Sequence, residues 1–103
     1  MASGIYGQVA LTASINNTVF GPTVATVGTY NIRLVNTTST ALSCGLAISA
    51  TATPAANEWI ESSSNVIPAY GILEEQGIPI QAGKYIVALP SATGVNAIVW
   101  GIE

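Results

Sequence analysis

Apolar and polar residues alternate at period two along most of this chain, in short runs separated by Gly, Pro, Asn and Ser/Thr clusters. No stretch sustains a 3.6-residue period, so the pattern predicts an all-β chain. A first strand is expected over about 5–13, with Ile5, Gly7, Val9 and Leu11 facing the core, followed by a turn at Asn16-Asn17 and a short return through Thr18, Val19 and Phe20. Tyr30, Ile32 and Leu34 mark a strand over about 29–36, and residues 37–41 read as a hairpin loop. Leu42, Cys44, Leu46 and Ile48 form one face of the clearest half-buried strand, opposite Ser43, Gly45, Ala47 and Ser49. Thr53 could cap a single helical turn that starts at Pro54. Later strands are expected over 58–62, 72–80, 85–89 and 95–102. A β-bulge is placed at Gly77, a turn at Ala82-Gly83-Lys84, and a hairpin over 90–94. Seven to eight short strands at this spacing predict an antiparallel two-sheet β-sandwich, immunoglobulin-like or jelly-roll in order.

The length of 103 residues fits one domain over 1–103, with 1–4 as an extended N-terminal arm. Charge changes the picture more. Lys+Arg total 2, Asp+Glu 5 and His 0, so 7% of side chains are charged against roughly 25% in ordinary soluble domains. Two cations cannot neutralise a row of phosphates, which argues against nucleic-acid binding. The apolar content and a net charge of −3 argue against disorder. The charge-free stretch between Arg33 and Glu58 is no membrane span, because Asn36, Thr37, Thr38, Ser39, Thr40 and Ser43 make it too polar. Met1-Ala2-Ser3-Gly4 has neither a basic start nor an apolar run, so cytosolic synthesis without a signal peptide is expected. A surface of Thr, Ser, Asn, Ala and Gly is easily desolvated, which suits burial against other chains.

Chemistry is sparsely supplied. With neither His nor Asp, a Ser-His-Asp triad is excluded, and Cys44 lacks a partner for activation, disulfide formation or zinc binding. Cys44 is read as a small buried hydrophobe. Glu74 and Glu75 are adjacent and should point to opposite faces of a strand, as should Glu58 and Glu61, so neither pair suits glycosidic hydrolysis. No catalytic residue, metal or cofactor is therefore expected. An ion pair between Arg33 or Lys84 and a Glu is expected to fix register. Trp100, alternating with Ile98 and Ile102, is assigned to the core. Trp59 and Tyr70 are candidates for stacking on a sugar. The sequons Asn16-Asn17-Thr18 and Asn36-Thr37-Thr38 are read as turn residues. Expected partner contacts are Thr37, Thr38, Ser39 and Thr40; Ser62, Ser63, Ser64 and Asn65; and the Glu74-Glu75 edge. The segment before Ile5 could add a strand to a neighbour.

Several segments resemble small virion structural proteins of tailed bacteriophages. They are Asn31-Ile32-Arg33-Leu34-Val35-Asn36 leading into a Thr/Ser loop, Ala47-Ile48-Ser49, the run from Pro54 through Trp59 to Glu61, the run from Ile80 to Ile86, and the closing Val99-Trp100-Gly101-Ile102-Glu103. The resemblance covers roughly 30–103 and transfers no binding residues. It implies a β-sandwich subunit in the virion. The leading expectation is a non-enzymatic capsid decoration or cement protein, a homo-oligomer with a trimer favoured, that binds the major capsid protein or another virion protein. A tail, neck or fibre component is the alternative, and a host-glycan-binding attachment module the second.

Overall fold

The computed structural model describes residues 3–24 and 26–103. The chain is all-β, with two antiparallel sheets packed as a sandwich and nine strands among the described residues. They are β1 (Ser3–Ala10), β2 (Asn17–Phe20), β3 (Val27–Asn36), β4 (Leu42–Ser49), β5 (Trp59–Glu61), β6 (Val66–Ile67), β7 (Ile72–Gln81), β8 (Tyr85–Pro90) and β9 (Val95–Ile102). The first sheet runs β1-β9-β3-β7; the second runs β2-β8-β4-β5, with β6 also paired to β4. The strand beyond the expected seven or eight is the two-residue β6, where Leu42 and Ser43 pair with Ile67 and Val66. Two residues are too few to leave an alternation pattern.

Most connections carry the chain from one layer to the other. The expected hairpins over 37–41 and 90–94 are such crossings: β3 and β9 lie in the first sheet, β4 and β8 in the second. Alternate burial is clear in β3 and β9, whereas β4, expected to be half-buried, is buried on both faces, with Gly45, Ala47 and Ser49 as enclosed as Cys44 and Leu46. The inward sets form one cluster with Tyr30, Ile32, Leu34, Leu46, Ile86 and Val99 at full burial. Cys44 lies in it as a free thiol, and burial pushes its pKa up to about 11.

Two bulges set which side chains face in. Gly77 has φ +66, as expected of a bulge there, and one extra residue of β7 is accommodated between the Tyr30–Ile78 and Ile32–Glu75 pairs. Its N–H donates to Asn31 Oδ1 at 2.9 Å. In β1 the register shifts between Ile5 and Gly7, which rotates Tyr6 inward against Phe20 and Tyr30. Ile5, expected in the core, therefore points outward and is 61% exposed. Trp100 is corrected in the same way. The inward set of β9 is Val95, Ala97 and Val99, so Ile98, Trp100 and Ile102 line the outer face.

The turn before β5 is a single 3-10 turn at Ala56–Glu58, following Ala55 rather than a Thr53 cap. Glu58 organises this connection instead: its carboxylate accepts from Ala50 N at 3.0 Å, Ala55 N at 2.8 Å and Ser49 Oγ at 3.1 Å. Ser3 and Gly4, expected in an arm, pair with Ile102 and Gly101. Met1 and Ala2 of that arm lie outside the described residues.

Candidate functional site

At one end of the sandwich three connections meet on Asn36, the last residue of β3. Its side chain is fully buried, and its Nδ2 donates to Thr40 O at 2.9 Å, Ile67 O at 3.1 Å and Pro68 O at 3.1 Å. Its Oδ1 accepts from Thr38 N at 2.9 Å and Thr38 Oγ1 at 2.7 Å. A carboxamide combines two donor hydrogens with an acceptor oxygen, which suits a buried junction where several backbone carbonyls and an N–H converge. The third connection joins through Thr37, whose N and Oγ1 both donate to Gly94 O, at 2.9 and 2.7 Å. Asn36 N donates to Gly71 O and Tyr70 N donates to Thr38 O, tying residues 68–71 to 37–40.

The outcome is a rigid, uncharged tip. Thr37, Ser39 and Thr40 are exposed, Thr38 is half-buried, and Tyr70 stands out at 71% exposure. Tyr70 has φ +56, a left-handed conformation that costs a bulky residue roughly 1–2 kcal/mol. The surrounding hydrogen bonds hold it there. Of the residues read from sequence, Thr37, Thr38, Thr40 and Tyr70 are thus brought together. Asn36, read as a turn residue, is the group that joins them; its place at the end of an alternating strand, before a Thr/Ser loop, was the available signal.

The other candidates lie elsewhere. Trp59 pairs with Ala47 in β5, and its ring lies against Gly45, where an added Cβ would meet Cζ3 at 2.9 Å and the Ser63 backbone at 3.0 Å. Ser62, Ser63 and Ser64 are exposed on that side, and Asn65 O accepts from Cys44 N. Trp59 is therefore a covering residue of the second sheet, leaving Tyr70 as the freer aromatic.

Glu74 and Glu75 do face opposite ways. Glu74 sits on the outer face of the first sheet, 2.5 Å from Arg33 Nη2, and the bonds from Arg33 and Gln76 hold its carboxyl below the usual carboxylate range. The Arg33 guanidinium also lies 5.6 Å from the Trp100 ring centroid. The expected register-fixing ion pair is this one, across paired positions of β3 and β7. Glu75 pairs in register with the buried Ile32 and meets Glu61 of β5 across the side of the sandwich. The hydrogen bond with Glu61, then burial, pushes the Glu75 carboxyl up. Adjacent residues cannot form such a pair, but edge strands of facing sheets can. Carboxyls close enough to hydrogen-bond stand nearer than the roughly 5 Å gap that a glycosidic displacement needs.

Among the described residues no cluster of three or more His, Cys, Asp or Glu could hold a metal ion, and no helix is long and apolar enough to cross a membrane. No family model, curated protein or solved structure matches this chain.

Proposed function

We propose that this chain is a non-enzymatic virion structural protein of the capsid decoration kind, which grips a repeating protein lattice with the tip organised by Asn36. The observation that carries the reading is Tyr70, presented to solvent on a pre-ordered, uncharged platform of Thr and Ser side chains. Tyrosine gives a large contact area at low entropy cost, and small hydroxyl side chains adapt to a partner without a charge to desolvate. Because the tip is ordered before binding, little conformational entropy is lost on docking. Each contact is modest, and repetition over a lattice supplies the avidity.

Particles made with tagged chain, separated into heads and tails, test the address. Signal on heads, with density on the shell, supports decoration; signal confined to tails moves the chain to the tail, neck or fibre alternative. Tyr70→Ala should lower particle occupancy at least tenfold while thermal unfolding stays near that of the parent. Unchanged occupancy would remove the tip from the interface, and glycan-array binding lost in the same variant would favour host attachment.

A further inference from the structure

The outer face of the first sheet is a second surface, distinct from the tip, and its composition is unusual for a face left in water. Ile5, Val27, Ile72 and Ile102, four of the large apolar side chains most exposed on the molecule, all point from it. Ile98, Trp100 and Val35 lie half-buried among them. The outward charges on these four strands are Arg33 and Glu74, which neutralise each other, with Arg33 also resting beside the Trp100 ring. Thr29, Asn31 and Asn96 lie between these side chains, so the face is rich in exposed apolar groups without being wholly apolar, a composition that suits a protein partner.

We infer that this face is the contact between two copies of the chain, packed outer face to outer face about a two-fold axis. Three features select a second copy over another occupant. First, the face carries both a hole and the knobs to fill it. A depression of about 610 Å³ is lined by Ile5, Asn31, Arg33, Ile98, Trp100 and Ile102, and Ile5 and Ile102 project at its margin. Surfaces with knob and hole on one patch are self-complementary, as an isologous contact demands. Secondly, the internally neutralised Arg33–Glu74 pair means that bringing two such faces together opposes no net like charge. Thirdly, the chain exposes 5109 Å² in all, so the roughly 800 Å² that each partner contributes to an interface of standard size is about a sixth of its surface, within reach of one outer face of a two-sheet sandwich. A small polar ligand fits less well, since no buried side-chain polar atom among the described residues lacks a partner with which to orient it.

The inference is independent of the lattice proposal, because it uses another surface. Sedimentation equilibrium from low micromolar to several hundred micromolar protein should show a reversible rise to twice the 10.5 kDa chain mass. Ile5→Glu and Ile102→Glu replace exposed side chains, so both should fold. Each should raise the dimer dissociation constant about a hundredfold, because every substitution enters a two-fold contact twice. Val66→Glu, at a side chain 60% exposed on the second sheet, should leave it unchanged. In a Trp59→Phe background, Trp100 fluorescence should shift to the blue in step with the mass. A chain that stays monomeric throughout overturns the inference, as does a trimer whose mass is indifferent to Ile5→Glu and Ile102→Glu. Particle occupancy lost in Tyr70→Ala but kept in Ile5→Glu would uphold the lattice proposal whichever way the self-association result falls.

Discussion

Removing the Asn36 carboxamide would take away the donor to the Ile67 and Pro68 carbonyls at a point where Asn36 is itself fully buried, while Thr40 O would keep its bond from Thr38 Oγ1. Asn36→Ala should therefore cost about 3 kcal/mol in urea unfolding. Asn36→Asp should cost more, since a carboxylate cannot donate to those carbonyls. A loss below about 1 kcal/mol would show that the tip is held by its backbone bonds alone. Glu75 yields a pH prediction of definite sign. Its folded pKa lies above the unfolded value, so its stabilising contribution is complete below about pH 4.3 and is lost as pH rises through the raised value. Glu58 and Glu74 are lowered and act oppositely: their contributions hold above about pH 4.3 and fade as pH falls through their depressed values. Glu75→Gln should thus gain in melting temperature relative to the parent between pH 4 and pH 7, and a flat difference would mean that Glu61 and Glu75 do not interact. Sequence reading foresaw the opposite orientations of Glu74 and Glu75 and the burial of Cys44. It missed the Glu61–Glu75 contact, because the two residues lie on different sheets and only the packing of layers brings them together.

At the level of elements, strands were legible where one face is apolar and the other polar. The bounds of β4 and β9 fall where alternation puts them, and the Gly77 bulge was visible as a phase break between Leu73 and Ile78. Gly77→Ala should cost about 1 kcal/mol, and Gly77→Asn less, because Asn tolerates a positive φ. Equal losses for both would mean that the side chain rather than the backbone conformation is resisted there. The Ala50–Ala55 connection depends on Glu58, three of whose bonds replace those a longer helix would make. In Glu58→Ala, amide exchange should quicken over residues 50–57 while β3 and β9 keep their protection. Uniform quickening would make Glu58 a determinant of global stability instead. Alternation put β9 in the wrong phase, with Trp100 inward, because it is a central strand with apolar residues on both faces and Val99 is the residue that faces the core.

For the molecule as a whole, scarcity of charge and period-two patterning already determined a great deal: an all-β sandwich with few charged side chains and neither His nor Asp for a triad. These are local or additive properties, readable because each residue contributes its charge, hydropathy and conformational preference independently of distant neighbours. Tertiary structure alone decided the rest. Pairing of strands far apart in sequence placed β9 between β1 and β3, and so turned Ile5, Trp100 and Ile102 outward on one face. The same pairing gathered Thr37, Tyr70 and Gly94 around Asn36 at one end. Which apolar face is core and which is surface depends on where the second sheet lies. That position is set by long-range packing, and no window of sequence contains it.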